Sequence, residues 1–320
     1  MHVASSTRTP YTAPESLDLA SPQNSSLASV VILTHNEARN IARCLQSLNW
    51  ADDVILVDSG SDDGTTDCAL EVRPDVRVFT HEFEDFGTQR NWALDNIEPR
   101  HEWVLFLDAD EQCTPELAQA IETAIADAGD TVGFFLTCRN YFLGQWLRRT
   151  TLYPSWQLRL LRLGQVRFQK EGHGQREVTA GPLAYIHEPY IHNGFSKGVS
   201  DWIARHNRYS SQEGELIQRL RNEPLRLRDL LSRDAVQRRR CLKRIAARAG
   251  CRPLSRFIYL YFIRRGFLDG RAGFLFCLLR VAHEIHITAK LAEREYLSAQ
   301  DACEPQKNSL DLDCLKTRIK

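Results

Sequence analysis

The chain has 320 residues, 43% of them hydrophobic, and its 41 Lys plus Arg are balanced by 41 Asp plus Glu. That length can bury a large core in one or two domains, and the neutral balance offers no globally basic surface, so no nucleic-acid partner is expected. The nine cysteines, at positions 44, 68, 113, 138, 241, 251, 277, 303 and 314, include no Cys-x-x-Cys pair, which argues against a zinc knuckle or redox dithiol and suits a reducing, cytoplasmic setting.

Residues 1–27 are rich in Ser, Thr, Pro and Ala without an apolar h-region, and are expected to form a disordered leader rather than a secretory signal. Alternation then begins. Val30–Leu33 predicts a strand, followed by a helical stripe of Ala38, Ile41, Ala42, Leu45 and Leu48. Val54–Val57 predicts a second strand, then a helix over Thr65–Val72. Val76–Thr80 predicts a third strand, with a helix over Thr88–Asn96. Trp103–Leu107 predicts the fourth, with a helix over Pro115–Ala128, and Val132–Thr137 the fifth. Such alternation with short loops predicts an α/β domain, residues 28–200, with a mostly parallel sheet covered by helices on both faces.

After Arg139 aromatics, Arg and Gly predominate, predicting irregular strands and loops up to about Ser200. Residues 201–298 read as a helical region. Asp201–Gln218 predicts one helix, 219–250 a basic helical segment, and 254–297 amphipathic helices around Gly266-Phe267-Leu268-Asp269-Gly270. Residues 299–320 are polar and are expected to be a flexible tail. No run of 18 apolar residues is apparent, so no segment is expected to span a bilayer. Between Leu216 and Arg256 the only acids among many Lys and Arg are Glu223, Asp229 and Asp234. One reading is a solvated helix face. The other adds the runs Phe257–Ile263 and Gly273–Leu279, too short to cross but long enough to lie in an interface, beside basic residues each worth about 1 kcal/mol at an anionic leaflet.

Chemistry concentrates where strands end. Asp108-Ala109-Asp110-Glu111 follows the fourth strand, at the crevice where open α/β sheets bind ligands. Carboxylates there require a partner, and a divalent cation that also holds phosphate oxygens supplies one. Alternatively Asp110 and Glu111 simply lead into the helix that Thr114-Pro115-Glu116 starts. Thr34-His35-Asn36-Glu37 follows the first strand, either with capping-box spacing or presenting groups to a nucleotide base. Asp58-Ser59-Gly60-Ser61-Asp62-Asp63-Gly64-Thr65 follows the second as a tight, Gly-containing turn. His283-Glu284-Ile285-His286 has histidines three apart, not the four of a zinc-protease helix, and is not expected to bind metal.

Together these segments resemble the family 2 glycosyltransferases of the GT-A fold, in the style of lipopolysaccharide-core and cell-surface glycan enzymes. The matching residues are Val-Val-Ile-Leu-Thr-His-Asn-Glu (30–37), Val-Asp-Ser-Gly-Ser-Asp-Asp-Gly-Thr (57–65), Gln-Arg-Asn (89–91) and Leu-Asp-Ala-Asp-Glu (107–111). The resemblance implies a nucleotide-sugar site, the sugar most often carried by UDP. Thr34, Asn36 and Glu37 would line the uridine pocket and Asp58 would bind the base. Arg90, with Asn91 beside it, would stand near the pyrophosphate, and Asp108 and Asp110 would hold ribose and a Mg²⁺ or Mn²⁺ ion, Asp110 as the main ligand. Inversion at the anomeric carbon is implied likewise.

The acceptor hydroxyl needs a carboxylate base. Glu177 is the first candidate and Glu171 the second, within a block (153–177) that resembles a stretch ending in a His-Glu motif, although here Gly-Gln-Arg separates His173 from Glu177. Gln157, Arg159 and His173 are candidate acceptor contacts. The stretch Gly266–Gly273 also resembles a segment of the lipopolysaccharide-core relatives. The expected activity is a single-sugar transfer to a lipid-linked or polysaccharide acceptor, by a peripheral enzyme on the cytoplasmic face of an anionic membrane. Alternatives are a nucleotidyltransferase, which would want a Gly-rich basic loop after the first strand, and a non-catalytic membrane-surface protein on the same scaffold. An Asp-x-Asp phosphatase would want Thr or Val where Gln112 stands.

Overall fold

The computed structural model describes residues 26–316 except 173, 233, 234 and 249; most of the expected leader and residues 317–320 lie outside them. The strands are Ala28–Thr34 (β1), Val54–Asp58 (β2), Arg77–Thr80 (β3), Trp103–Asp108 (β4), Glu111–Gln112 (β5), Gly133–Leu136 (β6), Cys138–Phe142 (β7), Gln145–Trp146 (β8), Gln157–Arg162 (β9), Arg167–Glu171 (β10), Gly174–Val178 (β11), Leu183–Tyr185 (β12) and Tyr190–His192 (β13). The helices are Ile41–Gln46 (α1), Thr65–Val72 (α2), Phe86–Asn96 (α3), Pro115–Ala126 (α4), Val199–Asn222 (α5), Ala235–Arg248 (α6), Arg252–Phe257 (α7) and Gly270–Lys316 (α8).

Seven strands make the central sheet in the order β12-β6-β9-β4-β1-β2-β3. β1, β2, β3 and β4 run parallel, and β9 runs antiparallel between β4 and β6. Every residue of β1 and β2 is buried, as expected for strands covered on both faces. Alternate side chains divide between two cores. Val30, Ile32, Leu56 and Leu105 meet Ile41, Leu45, Leu117 and Ile121 on one face. Val31, Ile55, Val57 and Phe106 meet Ala93, Leu94 and Phe168 on the other. This is the mixed, mostly parallel GT-A arrangement that the sequence predicts. A smaller sheet, β5-β13-β7-β8, and the hairpin β10-β11 complete the α/β part.

The strand register levels the site. Thr34 pairs with Asp58 and Leu33 with Asp108, so three carboxyl ends finish side by side. Residues 34–40 do not form the capping box that Thr34 and Glu37 allow. Helix α1 starts only at Ile41, and the loop before it is bonded instead to the loop after β2. The N–H of Asn36 donates to Ser61 Oγ (2.8 Å), that of Glu37 to Thr65 Oγ1 (2.7 Å) and that of Ala38 to Asp63 Oδ2 (3.1 Å). Asn36 takes φ 54°, a left-handed conformation that Asn tolerates.

The C-terminal part is helical. The basic segment expected over 219–250 is divided at Glu223-Pro224, because the residue before a proline is disfavoured in helical geometry; α5 ends at Asn222 and α6 begins at Ala235. A π-turn (Ile258–Ile263) and a 3₁₀ turn (Gly266–Asp269) join α7 to α8. A Cβ on Gly266 would stand 2.6 Å from the Leu260 carbonyl oxygen and one on Gly273 2.7 Å from the Gly266 oxygen, so the turn closes only with glycine at both places. The backbone from 299 to Lys316 continues α8 as helix, where the sequence reading expected a flexible tail. Contrary to the expectation that no segment qualifies, Gly266–Gln300 is long and apolar enough to cross a membrane by length and composition. Here it packs along α5 and α7 and carries the buried Glu284, which pairs with Arg252 (3.0 Å) and Arg256 (2.7 Å) of α7.

Candidate active site

A cavity of about 1230 Å³ opens at the carboxyl ends of β1 and β4, bounded by the β10-β11 hairpin and by α5 and α8. Thr34, Asn36, Glu37, Arg90, Asp108, Asp110, Gln157, Arg159 and Glu177 all line it. Asp58, Asn91 and Glu171 are not among its lining residues, and His173 lies outside the described residues.

Asp108 is enclosed by two arginines. Arg90 Nη2 reaches its Oδ1 (3.2 Å) and Arg159 Nη2 its Oδ2 (3.1 Å). Burial pushes this carboxyl up, but Arg159 and Arg90 outweigh burial and hold it at about 2. Arg159 also binds Glu111 Oε1 (2.7 Å), and Glu111 Oε2 accepts the Asp108 N–H (2.9 Å). Glu111 is therefore not merely a lead-in to the helix: β5 intervenes, and α4 starts at Pro115 with Thr114 Oγ1 accepting from the Leu117 N–H. Burial drives Glu111 to about 7, Arg159 offsetting only part and Asp108 adding to the rise.

Both oxygens of Asp108 are thus engaged, whereas Asp110 faces a different partner. His192 Nε2 lies 3.4 Å from Asp110 Oδ2. Burial opposes the imidazolium, but Asp110 outweighs it and raises the His192 pKa well above the ordinary histidine value. The register of β13 against β5, which sets His192 opposite Glu111, creates this contact. His192 is not among the candidate site residues read from the sequence, which missed its place beside Asp110. The one signal was its position at the end of the short apolar run Tyr190-Ile191.

Arg90 is boxed by Phe86, Phe106 and Phe168, each within 5.9 Å of the guanidinium carbon. Burial lowers it to about 10, so it stays charged, and it also donates to Gln175 Oε1 (2.7 Å) on β11. Glu177 lies two residues along that strand, on the face that Gln175 presents to the cavity. Neither nearby arginine engages Glu177: Arg176 Nη2 donates to Gln169 Oε1, and Arg159 is committed to Asp108 and Glu111.

The remaining expected residues have other partners. Asp58 is buried, accepting from the N–H groups of Gly60 (3.0 Å) and Ser61 (2.8 Å), and its neighbour Ser59 lines the cavity instead. Asn91 ties α3 to β10, with Nδ2 donating to the Phe168 oxygen and Oδ1 accepting the Phe168 N–H. Glu171 pairs with Lys243 of α6 (2.9 Å). Gln157 Oε1 accepts from Arg159 Nε (3.1 Å). Glu37 is raised by burial, with Lys197 (2.6 Å) and Asn40 offsetting only part of it. Thr34 Oγ1 is buried without a partner.

The sequence model of "Glycosyl transferase family 2" matches residues 29–188, half of the chain. The chain belongs to glycosyltransferase family 2. This family member is similar to the lipopolysaccharide core biosynthesis glycosyltransferase LpsC of Rhizobium meliloti (strain 1021), 22% identical over 85% of this chain and 94% of the relative. An uncharacterized glycosyltransferase of Rickettsia felis is 35% identical over 31% of this chain and 34% of its own, so the chain spans about a third of that relative. Among solved structures, S. aureus TarS shares 15% identity with a TM-score of 0.42, covering 85% of this chain and 91% of that one. Glucosyl-3-phosphoglycerate synthase of Mycobacterium tuberculosis, in a complex with Mn²⁺, UDP and phosphoglyceric acid, shares 14% with a TM-score of 0.42 over 63% and 81%.

A divalent ion is tested here by its donors. Among the described residues no group of three or more His, Cys, Asp or Glu is arranged to hold a metal. Asp110 and His192 nevertheless converge on the cavity, one carboxylate and one imidazole. Mg²⁺ and Mn²⁺ characteristically take one or two protein carboxylates and complete their shell with substrate phosphates. Asp110 would therefore fit an ion that arrives with a diphosphate, and His192 would join it as a ligand only after giving up the proton that Asp110 favours.

Proposed function

We propose that this glycosyltransferase moves a single sugar from a nucleotide-sugar, a UDP-sugar, to a membrane-associated glycan or lipid-linked acceptor in assembly of a cell-envelope polysaccharide such as lipopolysaccharide, with inversion and with a divalent metal. The observation that carries the reading is the pairing of Asp110 with His192 at the end of β4 in a cavity that Glu177 also enters. The likeness to LpsC over 85% of this chain supports the acceptor class.

The nucleoside would lie over the β1 and β2 loops, where Thr34 Oγ1 offers a buried hydroxyl and Asn36 and Glu37 line the wall. Leaving-group departure builds negative charge on the diphosphate, and a bound Mg²⁺ or Mn²⁺ supplies Lewis-acid stabilisation of it. Asp110, with His192 beside it once that imidazole is deprotonated, would hold that ion. Arg90 fixes the neighbouring strand end by holding Asp108 and Gln175. Glu177 accepts the proton of the acceptor hydroxyl as that oxygen attacks the anomeric carbon from the side opposite the leaving diphosphate. Inversion follows from that single displacement.

Membrane attachment is the second part of the proposal. On the turns between α7 and α8, Phe262 (57%), Ile263 (67%), Phe267 (46%) and Leu268 (57%) are exposed. Between Arg252 and His283 the one acid is Asp269. It is buried, accepting from the N–H groups of Arg149 and Thr150 (2.8 and 2.9 Å). The exposed surface there is apolar with Arg265 and Arg271, which matches an anionic bilayer interface on a cytoplasmic face. The test is UDP release from a panel of UDP-sugars with Mn²⁺, with and without extracted membrane glycolipid. Acceptor-stimulated release from one donor is expected; failure with every nucleotide-sugar contradicts the proposal.

A further inference from the structure

The cavity is larger than the roughly 300–1,000 Å³ of a usual single-ligand pocket and has two differently charged sides. Asp108, Asp110 and Glu111 gather at the ends of the strands. The opposite wall, made by α5 and α8, carries Arg205, Arg208 and Arg280 with Phe276, and Arg205 stands near enough to Asp110 to help lower its pKa. Asp201 is the one carboxylate on that wall among the lining residues, and Arg205 occupies it (2.8 Å) while also donating to the Gly194 oxygen. Other carboxylates in the cavity stand on β11, on the loop 82–85 and at Glu37, which pairs with Lys197.

Arg208 and Arg280 form no ion pair among the described residues. Of the two acids that act on Arg280, Glu284 is already taken by Arg252 and Arg256, and Glu213 of α5 offsets part of its charge from a distance. Arg280 is half-buried, its pKa lowered by burial and then by Arg256. His206, stacked on Trp202 with ring centroids 3.4 Å apart, is pushed down to about 3 by burial and by the charges of Arg280, His283 and Arg205. It is therefore neutral and adds no competing donor charge. Guanidinium groups left in such a wall are compensated most effectively by a bidentate oxyanion.

We propose that Arg208 and Arg280 form an anion subsite that binds a phosphate or carboxylate carried by the acceptor, so that the acceptor is an acidic glycan. This rests on the transferase reading of the cavity and adds the charge class of its second substrate. The oxyanion sits between α5 and α8, and the reacting hydroxyl is turned toward Glu177.

The experiment is calorimetric titration of the full chain, saturated with UDP and Mg²⁺, with inorganic phosphate and separately with glucuronate. Saturable binding of at least one probe to the UDP-bound protein is expected. It should weaken at least about tenfold in Arg280→Gln and in the more exposed Arg208→Gln, with UDP affinity held within about twofold. Competition of the probes with UDP, or parallel loss of UDP affinity in both variants, would assign these cations to the donor diphosphate and overturn the proposal. No binding of either probe overturns it too. If UDP itself fails to bind, the donor reading falls, and the same titrations without nucleotide decide the subsite alone.

Discussion

Glu177 and Glu171 are six residues apart on one hairpin, yet their surroundings separate their roles. Glu177 shares a cavity-facing side of β11 with Gln175, while Glu171 is tied to Lys243. Glu177→Gln is therefore predicted to lower kcat by about 10²–10⁴-fold with donor affinity unchanged, measured by initial rates and UDP titration. Glu171→Gln should leave kcat near that of the parent, and equal losses in both would remove the assignment. The acidic ends of β1, β2 and β4 were legible in the sequence because each is a polar cluster after an apolar run. The partners that give those acids their character were not. Arg159 comes from β9 and His192 from β13, and only the pairing of β9 with β4 and of β13 with β5 brings them to Asp108, Glu111 and Asp110.

At the level of elements, α7 and α8 are held together by Glu284, which the sequence places in a motif that resembles a metal helix but which binds Arg252 and Arg256. Burial raises this carboxyl, and the two arginines more than offset it, so its pKa in the folded protein lies below the ordinary glutamate value. The unfolded chain then binds the proton more readily than the fold. The stabilisation is complete above the unfolded pKa of about 4.3 and is lost as pH falls through the lower folded value. Glu284→Ala should cost up to about 3 kcal/mol near neutrality, seen in urea unfolding, and the difference from the parent should shrink in acid. A difference that persists unchanged at pH 3 contradicts the charge-pair explanation. Asp269→Asn acts at another junction. It weakens the acceptor of the Arg149 and Thr150 N–H groups and of Thr150 Oγ1, so a loss of about 1–3 kcal/mol is predicted by the same measurement. The strand and helix order of residues 28–136 was legible from periodicity, except for the two-residue β5, too short to show a period. The break of the basic segment was readable from Pro224 but not from periodicity, and the π-turn was not legible because helical periodicity continues through it.

For the whole molecule, two kinds of surface determine behaviour: a polar cavity at the sheet ends and an apolar, arginine-bearing turn between α7 and α8. Co-sedimentation with liposomes containing anionic lipid is predicted to fall with salt and to fall further in the paired variant Phe262→Ser and Phe267→Ser. Binding that is indifferent to salt, to anionic lipid and to both substitutions contradicts peripheral attachment through this turn. Motif order along the first 111 residues was enough to point to the family and its fold, whereas the charge of the α5–α8 wall emerged only when residues 205, 208 and 280 came to line one cavity.

The central claim is that Asp110, with His192, holds the metal-bound diphosphate of a nucleotide-sugar. It is tested most directly by thermal unfolding of the parent and of Asp110→Ala with UDP, in the presence and absence of Mn²⁺. At about 100 times Kd, a ligand that binds only the folded state adds about 2.7 kcal/mol. The parent is therefore predicted to show a clear rise in Tm with UDP and Mn²⁺ together, little with either alone, and Asp110→Ala none. A parent indifferent to UDP with Mn²⁺, or an Asp110→Ala protein stabilised as fully as the parent, would contradict the account.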